Sequence, residues 1–209
     1  MAWFMLLLAL LGTPASSDPL AEAQERFRAL TSYRVTVRLS AEGSEQHVLR
    51  YFYRKPGWIR IEFIRPHPGL VLIYNPDTRR VRVWPFGLNH LPRLNLAPDN
   101  PLVRGPHGIR VDQSDVGVLL ESLRERQARG SLASLGRGEV AARPVAGFEI
   151  RDGTGGNPSS THYYRVWLAQ DSRFPLRVER FGTGGRLLES IDMADVEIDT
   201  PFPERFFTP

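Results

Sequence analysis

From Tyr33 to Trp84 the side chains alternate in character, and that alternation limits the chain more than any other feature. Tyr33, Val35, Val37 and Leu39 are interleaved with Arg34, Thr36 and Arg38; Ile59, Ile61 and Phe63 with Trp58, Arg60 and Glu62; Val81 and Val83 with Arg80, Arg82 and Trp84. A period of two places successive side chains on opposite faces of a strand. Gly43, Pro56-Gly57, Pro66 with Pro68 and Gly69, and Asn75-Pro76-Asp77 punctuate the pattern. The gaps are too short for the crossover helices of a parallel sheet, so an antiparallel meander is expected. A second group of strands is expected at 145–151, 161–169, 175–181 and 187–198, with a loose glycine turn at 153–156 and a hairpin loop at 182–185. Along 187–198 the apolar phase shifts from Ile191 and Met193 to Ala194, Val196 and Ile198, which predicts a bulge. The total is about nine or ten strands.

Two helices interrupt the strands. Asp18-Pro19 supplies a cap and a proline at the first helical position, followed by Leu20, Ala23, Phe27 and Leu30 at helical spacing. Ser114 is positioned to cap a second helix, with Val116, Leu119, Leu120 and Leu123 as its apolar stripe and Gly130 as its stop. Residues 85–114 form a long excursion rich in proline, glycine and leucine, with one brief strand expected at Ile109 and Val111. The small-residue stretch 131–144 reads as loop. Strands 46–55, 70–74 and 161–169 are apolar on both faces, so something apolar must cover each side. The fold expected is mainly β (α+β): a strongly curved antiparallel sheet forming a half-open barrel, its concave face covered by helices. Pattern alone leaves open whether sheet and helices pack completely or enclose a cavity.

Trp3–Leu11 is an unbroken apolar run, followed by the breakers Gly12, Thr13 and Pro14 and the small residues Ala15, Ser16 and Ser17. This is the layout of a secretory signal with cleavage near Ser17. At nine residues the run falls well short of the ~20 that span a bilayer. The expected organisation is therefore a signal peptide at 1–17 and one domain at 18–209, with a mature protein that does not span a membrane. The chain has no cysteine, which removes thiol chemistry, cysteine-based zinc sites and a lipid anchor on Cys. Of its 27 basic residues 26 are arginine, but the net charge of +4 is too mild to point to nucleic acid.

Several stretches carry a resemblance. LTSYRVTVRLS (30–40), YRKPGWIRIEFIRP (53–66), PGLVLIYNPDTRRVRVW (68–84) and the closing RFPLRVERFGTGGRLLESIDMADVEIDTPFPERFF (173–207) resemble the LolA/LolB-type family of periplasmic lipoprotein carriers and outer-membrane lipoprotein-sorting proteins. The resemblance implies a non-enzymatic periplasmic domain that holds acyl chains of a lipid or lipoprotein and is served by envelope or inner-membrane export machinery, without a cofactor. On that reading the cavity is lined by Val35, Val37, Ile61, Phe63, Leu72, Trp84, Tyr164 and Val166 of the sheet and Leu119, Leu120 and Leu123 of the second helix. The alternative is a non-catalytic interaction or regulatory domain that uses its sheet to contact another envelope protein.

Catalytic and metal readings are weak. No G-x-S-x-G elbow, H-E-x-x-H or phosphate loop is present. His47, His67, His90, His107 and His162 are scattered, so no metal site is expected. Arg60, Arg80 and Arg82 read either as a solvated face paired with Glu62 or as a rim that meets anionic headgroups. Intact-mass measurement of protein from the envelope fraction tests the export reading. A mass without residues 1–17 is expected; a mass that retains them, or firm membrane retention, overturns it.

Overall fold

The computed structural model describes residues 18–105, 108–153 and 162–209. The expected signal at 1–17, His107, and the glycine turn beyond residue 153 lie outside them. Helix α1 (Pro19–Ala29) leads into five consecutive strands: β1 (Ser32–Ala41), β2 (His47–Arg54), β3 (Trp58–Arg65), β4 (Val71–Asn75) and β5 (Arg80–Trp84). A short β6 (Leu94–Leu96) and two 3₁₀ turns at Pro101–Val103 and Val111–Gln113 precede helix α2 (Val116–Arg129). Five more strands follow: β7 (Ser131–Val140), β8 (Arg143–Arg151), β9 (Tyr163–Ala169), β10 (Pro175–Phe181) and β11 (Leu187–Ile198).

All eleven strands form one sheet in the order β6-β5-β4-β3-β2-β1-β11-β10-β9-β8-β7, and each pairing is antiparallel. Each half of the chain is a meander. The two are joined where β1 pairs with β11, Val37 opposite Met193 and Leu39 opposite Ile191. The expected bulge falls in this seam: Arg34 faces Glu197 but Thr36 faces Ala194, and Asp195 takes the extra position with φ 53°.

The half-open barrel is not what forms. The sheet is open, neither closed nor strongly curved, with β6 and β7 as its two edges. Closure needs edge strands long enough to pair with each other. Here β6 has three residues and is followed by Pro98 and Pro101, which cannot extend a ladder. The stretch 131–144 is not loop but contains β7, paired with β8 along its length. Its sequence, SLASLGRGEV, gave no alternation because the strand is an exposed edge bulged between Ser134 and Gly136. The brief strand in the excursion is at Leu94–Leu96; Val111 begins a 3₁₀ turn instead.

Alternation sorts the sheet into two faces. One carries Tyr33, Val35, Tyr51, Tyr53, Ile59, Ile61, Leu72, Val81, Ile150, Val166 and Val178, packed with Leu20, Ala23, Leu120 and Leu123 of the helices. The helices pack on each other as well as on the sheet: a Cβ added to Gly117 would lie 2.3 Å from Phe27 Cε1, so only glycine allows this approach. The opposite face of β2–β5 is covered by the tail that follows β11. Phe207 is 1% exposed among Trp58, Val71, Ile73 and Trp84, with Phe202 and Phe206 stacked beside it against Phe52. Arg60 Nη1 donates to the Phe206 carbonyl at 2.6 Å, and its guanidinium lies 4.1 Å from the Phe206 ring. The tail thus closes a face that no helix reaches. Phe207→Ala is expected to lower stability by about 3–5 kcal/mol, read as a lower urea midpoint at unchanged slope. A loss of less than about 1 kcal/mol would show that the tail is not part of the core.

Candidate functional site

Both helices are capped by aspartates. Asp18 accepts from Leu20 N at 3.0 Å and Ala21 N at 3.3 Å. Asp115, one residue beyond the expected Ser114, accepts from Gly117 N at 2.7 Å and Val118 N at 3.2 Å. Ser114 does other work: its Oγ donates to the Val111 carbonyl and pairs with the Tyr51 hydroxyl at 3.1 Å. The Tyr33 hydroxyl accepts from Val116 N at 3.2 Å. The N-terminus of α2 is therefore fastened to β1 and β2 by two tyrosine hydroxyls. Burial pushes both hydroxyls well above the ordinary phenol range, and burial also pushes Tyr53 up to about 12. These tyrosines form a neutral, stacked platform with ring centroids 5.1 and 5.9 Å apart.

From this anchor α2 runs across to β7 and β8. The next helix-side residues along β1, β2 and β3 are left partly exposed: Val37, opposite Leu49, which is opposite Phe63, with Ile191 of β11 beside them. Among the sequence-derived candidates, Val37 and Phe63 belong to this row. Val35, Ile61, Leu72 and Val166 share the same face but are buried in the core. Leu120 and Leu123 are each 1% exposed, whereas Leu119 is half-buried. Tyr164 is half-buried on the helix side, where the Arg126 guanidinium of α2 lies 4.7 Å from its ring. Trp84 lies on the other face, under the tail, because the alternation of β5 turns Val81 and Val83 toward the helices.

The three candidate rim arginines also lie on the tail side. Arg60 is 8% exposed and is held by Glu62 at 2.8 Å and by the Phe206 carbonyl. Arg82 Nη2 reaches the Phe207 carbonyl at 3.4 Å, and Arg80 is exposed. They hold the tail or face solvent and do not border the helix-side face.

A pocket of about 230 Å³ opens at the other end of the helix layer. Phe27 of α1 and Leu30 at its C-cap, Val116 and Leu120 of α2, Phe174 before β10 and Ile198 of β11 form its apolar part, and Arg26, Arg173 and Asp199 are polar residues in its lining. Arg173 and Phe174 stand in the connection before β10 with no strand or helix periodicity, so the sequence signal here came only from the α1 and α2 stripes and from Ile198. The pocket is smaller than the ~300–1,000 Å³ of sites that engulf a drug-sized ligand. Among the described residues no three His, Cys, Asp or Glu come close enough to hold a metal, and no helix is long and apolar enough to cross a membrane.

No protein-family model matches the chain, and no curated protein matches it by sequence. Solved structures do share its fold. An uncharacterized conserved protein from Thermus thermophilus superposes with a TM-score of 0.55 at 13% identity, covering 91% of each chain. MucB, in the Pseudomonas aeruginosa MucA/MucB complex, gives 0.58 at 18% identity; 92% of this chain is covered but only 60% of that one. The Mycobacterium tuberculosis lipoprotein LppX gives 0.53 at 16% identity, covering 90% of this chain and 99% of that one. These are neither LolA nor LolB, so the resemblance in the sequence stands at the coarser level of this shared fold. The two named structures are described as a lipoprotein and as a member of a protein–protein complex, and at 16–18% identity what they share with this chain is the fold.

The α2 cap gives a pH prediction. Burial of Asp115 raises its carboxyl above the ordinary 3.8, against the lowering effect of its capping N–H donors. The native state therefore binds the proton more tightly than the unfolded state, and this group's contribution to stability falls as pH rises from about 3.8 through the native value. Asp115→Asn keeps the acceptor and removes the titration. The urea midpoint of the variant should gain on that of the original chain as pH rises through this window. A constant difference would show that Asp115 is not desolvated.

Proposed function

We propose that residues 18–209 act as a non-catalytic binding domain of the bacterial envelope, exported to the periplasm with 1–17 removed, that docks another envelope protein on the helix-side face of its sheet. The observation that carries this reading is the row Val37, Leu49 and Phe63 across β1–β3, with Ile191 of β11 diagonal to it, left partly exposed on the helix-side face while the tail closes the opposite face of β2–β5. Apolar side chains grouped on four adjacent strands suit a partner's apolar surface. The fold shared with MucB, a protein solved in complex with MucA, supports it. The acyl-chain carrier, with a part in lipoprotein sorting, has less support: the pocket is small, and Val35, Ile61, Leu72, Leu120 and Leu123 are spent on the core.

A photo-crosslinking residue placed at Leu49 or Phe63, in cells, tests the reading. A discrete protein adduct is expected from both positions and none from Arg38, which is exposed on the other face. Adducts of lipid mass from Leu49, with lipid retained in native mass spectrometry, would establish the carrier instead.

A further inference from the structure

The pocket at the far end of the helix layer has its own chemistry. At about 230 Å³ it exceeds the ~150 Å³ cavity that suffices for benzene. It is too small for the dozen or more methylenes of an acyl chain, and it matches one large side chain. Its aromatic walls are fixed: Phe27 and Phe174 each meet the buried Tyr33 ring edge-on, at 6.3 and 5.2 Å. Those walls offer an entering ring the tilted and edge contacts that aromatic pairs prefer.

The rim carries charge. Arg173 Nε lies 3.0 Å from Glu22 and Arg26 Nη2 lies 3.4 Å from it, so two guanidiniums share one carboxylate. The hydrogen bond from Arg173 is the main cause that holds Glu22 below the usual carboxylate range. Arg26 also donates to the Asp171 carbonyl, and the Asp171 carboxylate is taken by Arg143 at 2.9 Å. Asp199 is engaged by Thr31, whose N and Oγ donate at 2.6 and 2.9 Å, with Lys55 as its nearby cation. Each guanidinium has five N–H donors, so Arg26 and Arg173 retain donors beyond these contacts. The rim therefore suits an anion beside an apolar group.

We infer that this pocket binds one aromatic side chain of an acidic segment of a partner protein, with a neighbouring Asp or Glu of that segment taken by Arg26 and Arg173. The inference rests on the protein-binding reading but concerns a patch separate from the row at Leu49 and Phe63.

The experiment uses the chain labelled at Ile, Leu and Val methyls, titrated with three blocked peptides: Gly-Asp-Phe-Asp-Gly, the same with Lys for Asp, and the same with Ala for Phe. The Asp-Phe-Asp peptide is expected to shift Leu30, Val116, Leu120 and Ile198 methyls with a Kd on the order of 1 mM. Both controls should bind about tenfold more weakly or not at all. Ala29→Phe, which fills the mouth, should abolish the shifts, and Arg173→Ala should weaken binding about tenfold, with the methyl spectrum of each variant otherwise native. Equal binding of the Lys-Phe-Lys peptide, undiminished binding by Ala29→Phe, or a response to octanoate with none to the Asp-Phe-Asp peptide would overturn the proposal. A crosslink at Leu49 would survive each of those outcomes, and its loss would not explain them.

Discussion

A sheet eleven strands wide presents more apolar surface than two helices of 11 and 14 residues can cover. The rest of the structure follows from that shortfall. The chain spends its helices on one face, over the tyrosines of β1 and β2 and across to β8, and covers the opposite face of β2–β5 with the Phe202–Phe207 tail. Beyond β1 that opposite face is kept compatible with water by cross-strand ion pairs, Arg177 with Asp192 and Arg165 with Glu149. On the helix-side face, Val37, Leu49, Phe63 and Ile191 are among the apolar side chains left partly open.

The same shortfall shows why the tail is held by cations over rings and by guanidinium donors to carbonyls. An irregular segment lying on a sheet face has backbone carbonyls that no ladder satisfies. Arg60 and Arg82 supply donors from within the strands to the Phe206 and Phe207 carbonyls. Arginine suits the task because its planar group can stack on an aromatic face while its edge donates. Of the arginines read in the sequence either as a face paired with Glu62 or as a headgroup rim, Arg60 pairs with Glu62 and, with Arg82, fastens the tail, while Arg80 faces solvent.

Strands with clear alternation, β1, β3 and β5, were legible because apolar and polar residues alternate along each, although the tail also buries part of the second face of β3 and β5. The bulge in β11 was legible for the same reason: a single extra residue reverses the apolar phase. β7 was not legible, since an exposed edge has no need of alternation. The sheet's openness was not legible either, because closure depends on whether distant edges meet, and the local pattern of β6 and β7 does not encode that. Trp84 fell on the other face from the one expected: it continues β5 at the parity of Arg82, and its aromatic character outweighed its position in the reading. The pocket was hidden because its walls come from four separated segments, with Arg173 and Phe174 contributed by the connection before β10.

The seam between β1 and β11 has a consequence for the order in which the molecule can be completed. β1 emerges early and finds β2 within a few residues, yet its other edge stays unsatisfied until residues 187–198 arrive, some 150 residues later. Long-range pairing of this kind is entropically late. The central strand of the sheet therefore cannot become an interior strand until nearly the whole described chain is present. A chain with this topology remains threadable through a narrow pore for most of its length and locks only when its final strand slots in beside its first.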